Sequence, residues 1–242
     1  MVDVSSRDHE RALTVCQAKV YEQVLLFGDS ITQNGGFHPE RGFGFVPLLQ
    51  HYFTRRLDVI NRGFSGYNTD QARAVLPHII PSPRHTKVRF MTVFFGANDA
   101  ALPLPADPQR QQHVPIGRFK VNLHLICIHP AVQAHSARII LITPPPINEH
   151  LMEPSDLANG HKQLRRTSET TKLYAEAVKE VGSQLDLPVV DLWSAFMKTA
   201  GWKIGEPLVG LKSGPESAVL GELMYDGENR ALLRSESCTD PF

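Results

Sequence analysis

Three short polar motifs contain the residue types that an acyl-transfer reaction needs. The motif GDS at 28–30 contains Ser30, whose hydroxyl can attack an ester carbonyl once a base has taken its proton. The motif GFSG at 63–66 ends in Gly66, and a glycine lets a backbone N–H approach a ligand closely. The motif GAND at 96–99 contains Asn98, whose side-chain amide can donate a hydrogen bond. Taken singly these signals are weak, because turn glycines and helix-capping asparagines are common.

The segments around the motifs predict the elements that position them. Five short runs rich in Val, Ile, Leu and Phe have the pattern of strands buried on both faces of a parallel sheet: 24–27, 57–61, 88–95, 138–143 and 188–192. Helical patterns occupy 45–56, 69–80, 116–128, a short stretch from Pro130 to Gln133, and part of 159–185. Their alternation predicts the α/β class: a single doubly wound, flavodoxin-like sheet of about five parallel strands flanked by helices.

In such a sheet, ligands bind at the carboxyl ends of the strands. The three motifs follow the first, second and third apolar runs, so we expect them to meet in one cleft. The N–H of Ser30, the N–H of Gly66 and the side-chain amide of Asn98 are then candidate donors to the oxyanion of a tetrahedral intermediate.

Several neighbouring residues have predicted structural roles. Thr69 and Asp191 are predicted to cap the helices that follow them, and Asp29 to hydrogen-bond within its own turn. Asp99 either supports Asn98 or caps a helix. On the long helix, the spacing of Leu173, Ala177 and Val181 predicts one buried face.

Composition restricts the class of partner. A chain of 242 residues and 27.0 kDa suits one domain, and its 25 Lys+Arg against 25 Asp+Glu give no general attraction to nucleic acid or to an anionic membrane. The expected partner is therefore a small molecule. Three scattered cysteines, Cys16, Cys127 and Cys238, are interpreted as reduced thiols. No metal-ligand spacing, cofactor motif, signal peptide or apolar run of membrane-spanning length is found, so we expect no metal, no cofactor and a cytoplasmic location.

The motifs together resemble those of the SGNH (GDSL) hydrolase superfamily, and within it the isoamyl-acetate-hydrolysing esterase group. The resemblance rests on FGDSITQ at 27–33, NRGFSGYNT at 61–69, GAND at 96–99, HVP at 113–115 and ILITPPP at 140–146. It implies a serine esterase for short-chain acetate esters, with Ser30 as nucleophile and Gly66 and Asn98 in the oxyanion hole. A lysophospholipase or a carbohydrate deacetylase on the same scaffold is the alternative within enzymes.

The resemblance extends over 21–227, which implies an N-terminal extension at 1–20, a hydrolase domain at 21–227 and a divergent, disordered tail at 228–242. The last family block is an Asp-x-x-His pair, and here Asp226 matches its acid while Asn229 stands in place of the histidine. The abrupt loss of resemblance after Gly227 suggests a shifted reading frame, an unspliced intron or an alternative transcript.

An asparagine cannot act as a general base, so the resemblance predicts a weak or inactive esterase. The histidines considered as substitutes are His113, His150 and His161, all in or near predicted loops, where a surface role is the simpler interpretation. A non-catalytic protein that binds ligands in the same pocket is the rival hypothesis. The oligomeric state is left open.

Overall fold

A parallel five-stranded sheet forms the centre of the molecule. The computed structural model describes residues 21–36, 44–104, 111–214 and 216–224. Its strands are β1 (Gln23–Gly28), β2 (Asp58–Gly63), β3 (Val88–Phe94), β4 (Arg138–Ile142) and β5 (Val189–Val190), all parallel and ordered β2-β1-β3-β4-β5. This order confirms the predicted α/β class and the flavodoxin-like topology. β5 is shorter than the predicted run 188–192 because a new helix begins at Leu192.

Helices cover both faces of the sheet. They are α1 (Ser30–Gln33), α2 (Phe45–Tyr52), α3 (Thr69–Ile79), α4 (Ile116–Cys127), α5 (Pro130–Gln133), α6 (Glu149–Ala158), α7 (Ser168–Gln184), α8 (Leu192–Thr199) and α9 (Ala218–Met224). Helix α6 was not predicted, and α2 ends at Tyr52 rather than at 56. Of the helices within the described ranges, none is both long enough and apolar enough to cross a bilayer.

The helix caps correct one prediction and confirm another. Asn68, not Thr69, caps α3: its side chain accepts from Gln71 N at 3.1 Å, while Gln71 Oε1 accepts from Asn68 N at 3.0 Å. This reciprocal pair is a capping box, which Thr69 cannot form because it is already the first helical residue. Asp191 caps α8 as predicted, accepting from Ser194 N at 3.0 Å.

The main core lies between β1, β3 and β4 and the helices packed against them. Phe27 and Phe95 are fully buried at its centre, with ring centroids 4.8 Å apart. Helix α7 contributes a stripe of buried residues: Tyr174, Ala177, Val178 and Val181. The prediction that Leu173 belongs to this face is wrong, since its side chain is 55% exposed. Because the helix has 3.6 residues per turn, its buried face includes Tyr174 and not Leu173.

The end of β2 and the first turn after β1 make close backbone contact. Asn61 Nδ2 donates to Thr32 O at 2.8 Å, and its Oδ1 accepts from Gly63 N at 2.9 Å. A Cβ added to Gly63 would lie 2.0 Å from Gln33 N and 2.4 Å from Gln33 Cα. A side chain at this position would therefore push α1 away from the sheet.

We expect Gly63→Ala to destabilise the protein by roughly 1–3 kcal/mol, because the neighbouring atoms are backbone and cannot rotate away. Thermal unfolding followed by circular dichroism measures the change. The matched control is Gly117→Ala in α4, where an added Cβ meets nothing within 4 Å. Alanine should stabilise that exposed helical position by about 0.5–1 kcal/mol. Equal melting temperatures for the two variants would contradict the close contact at Gly63.

Candidate active site

The three sequence motifs lie side by side at the carboxyl edge of the sheet. Gly28, the last residue of β1, is in register with Gly63 of β2 and Phe94 of β3. Ser30 begins α1 two residues later, Gly66 lies in the turn after β2, and Asn98 follows β3. Ser30 and Asn98 are largely buried, at 6% and 3% exposure. The fourth predicted residue, Asp226, lies outside the described residues.

The turn that carries Ser30 is fixed by the preceding aspartate. Asp29 caps α1, and its Oδ1 accepts from Ile31 N at 2.9 Å. The prediction that Asp29 bonds within its own turn is therefore confirmed. Ser30 is the first residue of the helix, so its N–H has no intrahelical acceptor. Within the described chain that N–H makes no other backbone hydrogen bond.

The turn that carries Gly66 needs its glycine. Tyr67 N donates to Phe64 O at 3.2 Å, and Gly66 in the third position of this turn has φ +78°. A positive φ at this position is typical of a type II turn, where a side chain would introduce strain. Gly66 O accepts from Gln112 Nε2 at 3.2 Å. The Gly66 N–H makes no backbone hydrogen bond to the described part of the chain.

Asn98 is held at both ends of its amide group. Its Nδ2 donates to Tyr67 O at 2.9 Å, and its Oδ1 accepts from Arg166 Nη2 at 2.8 Å. A primary amide nitrogen has two hydrogens, so one of them is left for another acceptor. Asn98 therefore does not cap a helix, which was the alternative interpretation. Its side chain hydrogen-bonds to Tyr67 in the Gly66 turn and to Arg166.

Asp99 bonds to α3 and not to Asn98. Its Oδ1 accepts from both the N–H and the hydroxyl of Thr69, with an N–O distance of 2.9 Å for the first. Thr69 Oγ1 in turn accepts from Asn122 Nδ2 at 3.0 Å. The carboxylate therefore fixes the N-terminus of α3 to the end of β3 and α4.

Arg166 is the residue of this region that sequence reasoning missed. It is 3% exposed, and it donates from Nε to Ala97 O at 2.6 Å and from Nη2 to Gln112 Oε1 at 3.1 Å, besides its bond to Asn98. Burial, together with the charge of the neighbouring Arg165, lowers the pKa of Arg166 to about 10, although nearby carboxyl groups oppose the change. The residue lies in a polar stretch between α6 and α7 without motif or periodicity, so nothing local in the sequence identifies it.

Two buried carboxyl groups lie near this guanidinium. Burial raises the pKa of Asp29 to about 7, against the opposing effect of the Ile31 N–H, and the charge of Asp99 adds to the rise. Burial also raises the pKa of Asp99 to about 7, although the hydrogen bonds from Thr69 oppose it. Oδ2 of each carboxyl group is buried and has no hydrogen-bond partner among the residues that the structure describes. Ionising either group at this edge is therefore unfavourable.

None of the three histidines considered as substitutes is hydrogen-bonded to Ser30 within the described residues. His113 Nδ1 donates to Ala101 O at 2.7 Å, and His161 Nε2 accepts from Arg165 Nη1 at 3.3 Å. His150 Nε2 lies 3.0 Å from Leu211 O and 3.1 Å from Gly214 O, so it bonds the loop before α9. Asn229 lies outside the described residues.

The described residues contain no cluster of three or more His, Cys, Asp or Glu side chains that could hold a metal ion. Cys127 is a buried free thiol, and burial raises its pKa to about 12. A thiol with so high a pKa is a poor nucleophile or metal ligand near neutral pH. Cys16 and Cys238 lie outside the described residues.

The two buried aspartates make stability depend on pH. Their folded-state pKa values of about 7 exceed the unfolded value, so between pH 4 and pH 7 the folded state binds more protons. The free energy of unfolding should therefore fall as pH rises through this window, by up to roughly 1.4 kcal/mol per pH unit for each group. Asp29→Asn and Asp99→Asn keep the Oδ1 acceptors, and each should flatten the slope measured by urea unfolding at several pH values.

The matched control is Asp58→Asn at the exposed start of β2, which makes the same chemical change away from both buried carboxyl groups. A double variant, Asp29→Asn with Asp99→Asn, that keeps the full slope of the parent would contradict this assignment.

Comparison with known proteins identifies the family of the chain. Residues 26–207 match the GDSL-like lipase/acylhydrolase family. The chain is 39% identical to a mouse protein named isoamyl acetate-hydrolyzing esterase 1 homolog, over 75% of this chain and 70% of that protein. It is 36% identical to an Arabidopsis thaliana GDSL esterase/lipase, over 80% of this chain and 79% of that protein.

Solved structures show the same fold. The lipase/acylhydrolase of Enterococcus faecalis aligns with a TM-score of 0.52 at 26% identity, covering 72% of this chain and 78% of its own. An acetylxylan esterase of Geobacillus stearothermophilus aligns with a TM-score of 0.56 at 20% identity, covering 85% of this chain and 91% of its own. With its family match, its relatives and its parallel sheet, the chain belongs to the GDSL-like lipase/acylhydrolase family and is a hydrolase of the SGNH type.

Proposed function

We propose that this chain is a serine esterase for short-chain acetate esters whose activity is impaired because it lacks the usual histidine base. Ser30 is the nucleophile in this proposal, and Gly66 and Asn98 are its oxyanion donors. The observation that carries the proposal is a set of hydrogen-bond donors at the carboxyl edge of the sheet that have no acceptor among the described residues. The N–H groups of Ser30 and Gly66 and one Nδ2 hydrogen of Asn98 are left without an acceptor in the described chain.

The reaction follows from this arrangement. Ser30 Oγ attacks the ester carbonyl carbon and gives up its proton to a water molecule, so that the carbonyl oxygen becomes an oxyanion that accepts from the three donors. The tetrahedral intermediate then expels the alcohol, which takes up a proton, and leaves the acyl group on Ser30. Water attacks this acyl-enzyme in the same way, releasing the carboxylic acid and restoring the hydroxyl.

The substrate class is supported by the relatives. The mouse and rat proteins that are each 39% identical to this chain are both named after isoamyl acetate hydrolysis. We transfer from them the class of a small acetate ester, which suits a chain without net charge.

A cytoplasmic location stays a prediction.

The impairment follows from position 229. With Asp226 as the acid of an Asp-x-x-His pair, the base would stand at 229, where this chain has Asn. An amide accepts no proton near neutral pH, so Ser30 would be activated only by water. Oxyanion hole and binding alone typically leave about 10³–10⁴-fold acceleration over the reaction in water.

The same substitution favours a second candidate function, a binding protein that keeps the pocket but not the chemistry. Such a protein would hold an acetate ester without turning it over. The two candidates differ in what Ser30 does, because a binding protein has no need of its nucleophilicity.

Restoring the base tests the proposed function. Hydrolysis of p-nitrophenyl acetate by the full chain should be slow, and Ser30→Ala should abolish what there is. Asn229→His should raise kcat by up to roughly 10²–10⁴-fold, the contribution of a base that reaches the hydroxyl of the nucleophile. The acyl preference is then read from the acetate, butyrate and octanoate esters.

The control for the restored base is Asn229→Gln, which changes size without adding a base and should leave kcat low. Fast hydrolysis by the unaltered chain that depends on Ser30 would refute the impairment. Thermal stabilisation of the chain by isoamyl acetate, with no turnover even in the Asn229→His variant, would instead establish the binding protein.

A further inference from the structure

We propose that Arg166 is the positioning residue of the oxyanion hole. Its guanidinium is linked to two of the three proposed donor residues, directly to the amide of Asn98 and through Gln112 to the turn at Gly66. The inference rests on the proposed function of Asn98 and Gly66. Arg166 would not touch substrate, and it would act through the orientation of the Asn98 amide and of the turn at Gly66.

The first connection runs to Asn98. An arginine can only donate, so the bond from Arg166 Nη2 at 2.8 Å requires an oxygen at the near end of the Asn98 amide. A carbonyl can only accept, so the bond to Tyr67 O at 2.9 Å requires the nitrogen at the far end. Rotation of the amide by 180° would therefore break both hydrogen bonds. The second Nδ2 hydrogen is held in one fixed direction.

The second connection runs to Gly66 through Gln112. Arg166 Nη2 and Arg165 Nη2 both donate to Gln112 Oε1, each at 3.1 Å. With its oxygen fixed by two cations, Gln112 must present Nε2 to Gly66 O, which it contacts at 3.2 Å. The carbonyl of Gly66, which follows the proposed donor N–H in the same turn, is thus linked to the same guanidinium as Asn98 is.

The positive charge of Arg166 also strengthens Asn98 as a hydrogen-bond donor. A cation behind Asn98 Oδ1 polarises the amide and makes its remaining Nδ2 hydrogen a stronger donor. Arg166 is almost fully buried, and its three bonds described here run to neutral oxygens of Ala97, Asn98 and Gln112. Because few water molecules can screen it there, its field at the developing oxyanion is larger than that of a surface arginine.

Lysine could not replace this arginine. The bonds of Arg166 leave from Nε toward Ala97 O and from Nη2 toward two side-chain oxygens. A guanidinium holds these donors in one rigid plane, whereas an ammonium is a single point. Arg166→Lys therefore keeps the charge and removes part of the geometry, while Arg166→Met removes both.

The first test observes Asn98 directly and needs no enzymatic activity. In a ¹⁵N–¹H spectrum of the full chain, the side-chain NH₂ pair of Asn98 is assigned by its loss in Asn98→Asp. Arg166→Met should shift this pair and broaden it as the amide begins to rotate, and Arg166→Lys should do so to a smaller extent. Arg118→Met, which removes an exposed arginine paired with Asp70, should leave the pair unchanged.

The second test measures the reaction of Ser30 with a fluorophosphonate by intact-protein mass spectrometry, with Ser30→Ala as the blank. Arg166→Met should lower the maximal inactivation rate by about 10–100-fold and leave the half-saturating concentration within a factor of about 3. In an Asn98→Ala background the same change should cost clearly less than it does in the parent, because one of the two groups through which Arg166 acts is gone while the link through Gln112 to Gly66 remains.

The outcomes separate the two proposals. If the chain does not label at Ser30, the proposed function fails, and the Asn98 spectrum still decides the role of Arg166. An Asn98 pair that is unchanged in folded Arg166→Met or Arg166→Lys overturns the positioning role, even in an active protein. Equal losses from Arg166→Met with and without Asn98 also overturn it. Arg166→Lys serves alone if the Met variant does not fold.

Discussion

The absence of side chains at the ends of β1 and β2 is the constraint on which the rest of the site depends. Gly28 and Gly63 are in register, and a Cβ on either would come within 2.1 Å of an atom of the first helix. Their bare backbones let α1 start directly on the sheet edge, between the ends of β2 and β3. Ser30 is consequently placed by close backbone contacts, which the side chains of Asp29 and Asn61 reinforce by hydrogen bonds to the first helix.

The electrostatics at this edge is organised around the buried guanidinium of Arg166, beside which Arg165 also lies. Arg166 lies near Asp29 and Asp99, whose burial raises their pKa values to about 7, so near neutral pH their ionised and neutral forms are similarly populated. The guanidinium itself bonds to neutral oxygens. The charge of the guanidinium thus lies directly behind the Asn98 amide, one of the groups proposed to stabilise a developing negative charge, and its sign is the one that acyl transfer requires.

Local patterns were enough to predict the sheet and the motifs, but not the contacts between distant segments. The strands are continuous apolar runs, and Ser30, Gly66 and Asn98 each follow one of them, so that topology alone brings them together. Helix α6 was missed because Pro154 lies inside it and its apolar spacing is short. Arg166 was missed because its partners are 54 to 69 residues away in sequence. Leu173 was misassigned because four-residue steps drift from the true helical period.

The first turn of α6 anchors the loop that precedes α9, upstream of the segment proposed to hold the base. Glu149 Oε1 accepts from Ser168 N at 2.7 Å, its Oε2 accepts from Lys212 N at 2.9 Å, and His150 bonds the carbonyls of Leu211 and Gly214. The loop before α9 is thus anchored by residues upstream of the divergent stretch. In evolutionary terms, the proposed oxyanion framework and the proposed proton-transfer pair are encoded in separate segments. A lineage could lose or regain proton transfer through a few codons around position 229 while selection on the fold continued.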